Sequence, residues 1–255
     1  MMDARDIRSE LKHAANAGIA RGLARFFKTG KGEYGEGDQF LGVITSEQRR
    51  IAKAYLAHKT PPSVDRTLSV VQMLFRGGYH EERSTALMIL VHQYRRSDAE
   101  DKHRIFNFYI KNLRYVNNWD LVDSSAPQIV GDYLLDKDPA ILFELAKRED
   151  VWARRVAVLA TFVFVKTGRF GETLALAEFL LIERKDRHDL MHKAVGWMLR
   201  EIGKRDESVL IAFLDRFAAQ LPRTALRYAI EKLDQKKRRE YLRLGRQSNV
   251  SWMAR

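Results

Sequence analysis

The sequence predicts an all-α protein of stacked helical hairpins. Three observations predict it. Apolar residues recur at helical spacing along almost the whole chain. No run of period-two alternation bounded by turns signals a strand. Helix starts recur near His80, Asn118, Asp150, His188 and Pro222, at intervals of 38, 32, 38 and 34 residues. Each interval has room for one more helix, and pairs repeating every 30 to 45 residues or so mark an α-solenoid of HEAT-like repeats. A single pair cannot bury its own apolar face, whereas stacked pairs share a continuous core and leave a curved wall exposed. The expectation is therefore a single curved domain with a basic concave face, the alternative being an irregular all-α bundle.

The elements follow in order. Ile7, Leu11, Ala15, Ile19, Leu23 and Phe26 keep helical spacing. Five of the 15 Gly fall between Gly30 and Gly42, which reads as a turn-rich loop. Thr45 and Gln48 have the spacing of a capping box before the next helix. Val64, Leu68, Val71 and Phe75 form another apolar stripe, stopped by Gly77-Gly78. The first helices of the later pairs are expected at about 99–114, 139–147, 172–184 and 206–220. No linker interrupts the chain, so residues 1–235 read as one domain and 236–255 as a basic C-terminal tail.

Composition narrows the function. The 255 residues hold 45 Lys and Arg against 33 Asp and Glu, a net charge of +12. Hydrophobic residues make up 45 %, enough for a core. Cysteine is absent, which excludes a disulfide framework and a thiol nucleophile and fits a reducing cytoplasm. The segment Met1–Leu11 alternates acid and base and has no apolar stretch of a signal peptide. The longest apolar run, Val156–Val165, is broken only by Thr161 and is half the roughly 20 residues of a membrane span, so a buried helix is expected and no membrane partner. A basic excess attracts polyanions, nucleic acid above all.

Three motifs carry little. Gly30-Lys31-Gly32-Glu33-Tyr34-Gly35 matches the dinucleotide fingerprint, but a helix precedes it and no sheet is expected to hold it. His188 and His192 stand at i, i+4 on a helix, with Asp189 following His188 where a zincin has Glu, and with no third ligand in reach. The tail from Lys236 has seven basic residues against Glu240 alone, a net +6, and such runs are commonly solvated ends. Neither a metal nor any other cofactor is expected.

The residues able to carry chemistry sit on the recurring second helices. Trp119 and Asp123 are i, i+4 neighbours, so indole and carboxylate share a face. Arg154 and Arg155 follow on the next such helix. Lys193, Trp197 and Arg200 share a face on the one after, and Arg223 with Arg227 repeats the basic pattern. Interleaved indoles and cations suit a phosphate backbone with its sugars and bases. Taken singly, each Trp reads more simply as core filling and Asp123 as a surface acid.

Four segments, in order and spacing, carry a resemblance: Phe40-Leu41-Gly42-Val43 followed by the Arg49-Arg50 helix, Trp119-Asp120-x-x-Asp123, Arg154-Arg155-Val156-Ala157, and Lys193-Ala194-x-Gly196-Trp197-x-Leu199-Arg200-Glu201. Through them the chain resembles the DNA alkylation repair family, the AlkD-like HEAT-like-repeat DNA glycosylases, from the first helices to about residue 235. The resemblance implies Asp123 as the catalytic carboxylate. It implies Trp119 and Trp197 beside the sugar and backbone of the lesioned nucleotide, and Arg155 on the adjacent phosphate. Phe26 falls near an aromatic of the family's site. Two departures are visible: Asn118 stands where relatives can have an aromatic, and the loop between Phe27 and Phe40 is longer than in the shortest relatives. The implied substrate is double-stranded DNA holding cationic N3- or N7-alkylated purines, attacked by a monomer without deep base flipping. The rival readings are a non-catalytic module gripping bent or branched DNA, and a protein scaffold whose binding would ignore salt.

Overall fold

The computed structural model describes residues 2–57 and 61–250. The helices are α1 (Ala4–His13), α2 (Ala17–Phe26), α3 (Thr45–Leu56), α4 (Val64–Phe75), α5 (His80–Arg96), α6 (Ala99–Lys111), α7 (Trp119–Asp123), α8 (Asp132–Leu134), α9 (Ala140–Lys147), α10 (Val151–Ala160), α11 (Phe162–Lys166), α12 (Gly171–Glu178), α13 (Asp189–Gly203), α14 (Glu207–Phe217), α15 (Arg223–Ala229) and α16 (Gln235–Val250). Among the described residues there is no strand; one isolated bridge pairs Gln39 with Tyr79. The all-α fold of helix pairs is therefore as the periodicity predicts. The recurring starts are placed to the residue: α5 begins at His80, while Asn118, Asp150, His188 and Pro222 are the N-caps of α7, α10, α13 and α15. The chain groups into two compact units, one running to Ile129 and one from Val130.

In the first unit α5 is the central helix, packed against α1, α3, α4, α6 and α7. It is buried on all but the face of Ser84, Met88, His92 and Arg95, with Ala86, Leu87, Ile89, Leu90 and Tyr94 contributing apolar contacts. Ile7 and Leu11 of α1, Ile51 and Tyr55 of α3 and Leu74 and Phe75 of α4 complete that core. The stripe from Ile7 to Phe26 is not one face. Asn16 interrupts it, its side chain accepting the Gly18 and Ile19 N–H groups and starting a second helix. No residue of α2 is buried. The capping box at Thr45 and Gln48 does not form either. Ile44 is the N-cap, and Gln48 donates from Nε2 to the Val43 carbonyl at 2.7 Å.

In the second unit α13 is central, packed against α10, α11, α12, α14 and α15. Gly196 lets α15 approach: a Cβ there would stand 2.5 Å from the Ala225 carbonyl oxygen. The apolar run 156–165 is divided between α10 and α11 at Thr161, whose hydroxyl donates to the Val158 carbonyl. The basic segment from Lys236 is helical as far as Val250, and residues 251–255 of that expected tail lie outside the described residues. The Tyr241 hydroxyl donates to Asp215 at 2.6 Å, and Arg223 donates to the Leu242 carbonyl at 2.7 Å.

Candidate functional site

Helix α7 has five residues, too few to persist alone. Its neighbours fix both ends. At its start the Asn118 side chain accepts the Trp119 N–H at 2.8 Å, and Asp120 Oδ2 receives His80 Nε2 at 2.8 Å. At its end the Ser125 hydroxyl donates to the Leu121 carbonyl at 2.5 Å, so its oxygen accepts the Tyr109 hydroxyl at 2.8 Å. Tyr109 is fully buried, which pushes its phenol well above the ordinary range against the Ser125 hydrogen bond, and the charge of Asp123 adds to that push. Trp119 and Asp123, both half-buried, thus occupy the two ends of one braced turn.

Trp119 belongs to an aromatic stack. Its ring lies on Phe27 with centroids 5.2 Å apart and meets the edge of Phe26 at 5.8 Å. Phe27 stacks in turn on Phe40 at 5.1 Å, and Phe40 on the His80 imidazole at 4.7 Å. Phe27 is buried, whereas Phe26 is 62 % exposed, an apolar side chain facing solvent beside the indole. The Gly-rich loop is pinned beneath this stack. Gly42, at φ +82°, is required by a close approach: a Cβ there would lie 2.0 Å from the Asn16 carbonyl oxygen.

The pin is the first turn of α5, whose His80, Glu81, Glu82 and Arg83 are all buried. His80 donates from Nδ1 to Asp38 at 2.8 Å as well as from Nε2 to Asp120. Glu81 accepts the backbone N–H groups of Leu41, Gly42 and Val43. Glu82 pairs with Arg8 at 2.8 Å, and Arg83 pairs with Asp38. Burial alone would push the Asp38 carboxyl up, but His80 and Arg83 hold it below its ordinary value. Burial likewise opposes the His80 cation, yet Asp120 and Asp38 raise the imidazole to about 9. Sequence reasoning misses this cluster, because four polar residues opening a helix have the pattern of a solvated face. The available signal is that four consecutive polar residues cover most of the helix circumference, more than one solvated face, so some of them must meet the core.

The second unit holds the remaining expected residues. Trp197 is half-buried, tilted against Phe162 at 5.9 Å, with Nε1 donating to Glu201 at 3.3 Å. Lys193 pairs with Asp189 at 2.6 Å, and Arg200 pairs with Glu231. Arg155 is buried and donates from Nη1 to the Leu190 carbonyl at 2.7 Å. Arg154, expected on DNA, is buried instead. Its Nε lies 2.7 Å from Asp186 and its Nη1 donates to the Arg148 and Glu149 carbonyls, so its guanidinium holds the unit's own loop. Arg223 is half-buried on its Leu242 bond, and Arg227 is exposed. The two histidines serve the backbone: His188 Nδ1 accepts the Leu190 N–H as helix cap, and His192 donates to the Asp186 carbonyl at 2.6 Å. Among the described residues no cluster of three or more His, Asp or Glu side chains is arranged to hold a metal ion. Nor, among them, is any helix long and apolar enough to cross a membrane.

The family model described as DNA alkylation repair enzyme matches residues 7–233. No curated protein matches the chain. A solved structure titled "Predicted DNA alkylation repair enzyme from Enterococcus faecalis" shares the fold, with a TM-score of 0.68 at 18 % identity, over 87 % of this chain and 97 % of that one.

Proposed function

The chain belongs to the DNA alkylation repair enzyme family, and on that premise we propose that it is a DNA glycosylase hydrolysing the N-glycosidic bond of cationic N3- and N7-alkylated purines in duplex DNA. The observation that carries this reading is α7, which sets an indole and a carboxylate one turn apart beside the exposed Phe26 ring.

The chemistry asks little beyond that. An N3- or N7-alkylated purine is positively charged, so it leaves as a neutral base with the electron pair of the C1′–N bond. The sugar is left as an oxocarbenium-like cation, to which water adds at C1′ with loss of a proton. In this reading the Asp123 carboxylate stabilises the cation and orients the water. The Trp119 face adds cation–π attraction as charge develops on the sugar. A shallow aromatic rim serves a base that stays near its stack, unlike the deep pockets of flipping enzymes. The reaction as written requires no metal or redox cofactor. In this reading the second unit contributes contacts to the DNA: Arg223 and Arg227 to phosphates, with Lys193 and Arg200 exchanging acidic partners and Arg155 its Leu190 carbonyl for them, and Trp197 to the backbone.

The test is release of 7-methylguanine or 3-methyladenine from methylated duplex DNA by wild type and by Asp123→Asn. Wild type releases both or either base, and the variant loses about 10²-fold or more in rate while still binding DNA. No release by wild type, or undiminished release by Asp123→Asn, overturns the assignment.

A further inference from the structure

We propose that His80 is the positioning residue of the proposed excision site: its imidazolium joins Asp38 of the Gly-rich loop to Asp120 of α7 and so fixes where Trp119 and Asp123 stand. The proposal deepens the glycosylase reading and rests on it for its kinetic consequences.

The geometry requires a doubly protonated ring. Both partners are carboxylate oxygens, which when ionised only accept, and both lie 2.8 Å from a ring nitrogen, so both nitrogens donate to the ionised pair. The ring is 3 % exposed and stacked against Phe40 and Phe27, so it has no alternative orientation in water. Asp38 is compensated a second time by Arg83. Asp120 is not. Among the described residues its Oδ1 is buried without a hydrogen-bond partner, and His80 is the cation paired with its Oδ2. The charged groups around the ring are thus Asp38 from the loop, Asp120 from α7 and Arg83 from α5 itself, a balanced set of two cations and two anions.

The consequence follows from the length of α7. A helix of many turns would hold its side chains by its own hydrogen bonds, but this one depends on the side chains at its ends. Loss of the His80 bond leaves a half-buried carboxylate next to Trp119 with no counter-charge, and the start of the helix turns to solvate it. Phe27 lies against both His80 and Trp119, so the indole shifts with it. A displacement of the order of 1 Å at a reacting group costs about 10²-fold in rate without abolishing binding.

The experiment compares wild type, His80→Gln, Asp120→Asn and Asp120→Ala. Asparagine keeps an oxygen acceptor for Nε2, and alanine does not. Two readouts are taken: the Trp119 indole N–H resonance of the free protein, and the single-turnover release of 7-methylguanine alongside the Kd for the same DNA. His80→Gln and Asp120→Ala are expected to move the Trp119 resonance and to lower the single-turnover rate about 10²-fold with little change in Kd. Asp120→Asn is expected to recover most of both. An unmoved Trp119 resonance in His80→Gln, or Asp120→Asn as impaired as Asp120→Ala, overturns the proposal. Should His80→Gln not fold, the Asp120 pair decides alone. If wild type releases no base, the glycosylase reading fails, while the resonance still decides whether His80 positions Trp119.

Discussion

Trp119 lies nearly flat on Phe27, with ring planes 23° apart, while Phe26, one residue earlier, turns its edge to the same indole at 72°. Two adjacent phenylalanines therefore serve one tryptophan in different ways, one from the core and one from the surface.

Their truncations should separate. Phe27→Ala removes a buried ring from a stack and is expected to cost about 3 kcal/mol or more in chemical denaturation. Phe26→Ala removes an exposed ring and is expected to stay within about 0.5 kcal/mol of wild type. It should nonetheless weaken binding to methylated DNA, measured by titration. Equal stability losses in the two variants would contradict the surface role of Phe26.

The His80 cluster predicts how stability depends on pH. The imidazole is raised in the fold to about 9, so its contribution is complete below the ordinary histidine value of 6.5 and is lost as pH rises through about 9. Asp38 is lowered, so its contribution is present above the ordinary carboxylate value and is lost as pH falls through the depressed one. Thermal unfolding scanned across pH should decline on the alkaline side between those two histidine values. His80→Gln should flatten that limb and leave its position on the acid side to the carboxylates.

Arginines of the second unit divide by partner. Arg154→Ala breaks a buried pair with Asp186 and is expected to destabilise by about 3 kcal/mol. Arg227→Ala, at an exposed position, should leave unfolding unchanged but reduce the slope of DNA affinity against salt by about one phosphate contact. Denaturation and a salt titration on both variants check this.

Gly42→Ala is expected to destabilise by about 2 kcal/mol or more, since it adds a side chain at positive φ against the Asn16 carbonyl. Gly32, also at positive φ but with open space around it, should respond less to the same change. Paired denaturation curves decide.

How much of this was legible in the sequence depends on the range of the interaction. Helix starts such as Asn118, Asp150 and His188 are set by caps a few residues away, so local pattern finds them. Trp119 and Asp123 share a helix, so their pairing is equally local. The Thr45 and Gln48 pattern misleads because a distant residue decides: Glu81 takes the N–H groups of residues 41–43, and Gln48 turns to Val43. Asp38 and Asp120 lie about 40 residues to either side of His80, and nothing in their spacing marks them as its partners. Which arginines are buried is illegible for the same reason, since Arg154 and Arg227 differ only in what folds against them.

Helix α2, with no buried side chain, has a kinetic meaning of its own. Melting it exposes only half-buried side chains such as Leu23 and Ala24, so its opening is expected to be decoupled from global unfolding and to lie at the low end of the protein's free-energy scale. Its amides should exchange with solvent deuterium far sooner than those of α5, although the two are joined through the same Gly-rich loop. If the proposed function holds, an arriving duplex meets a helix it can reorder at small cost, set beside an indole that it cannot.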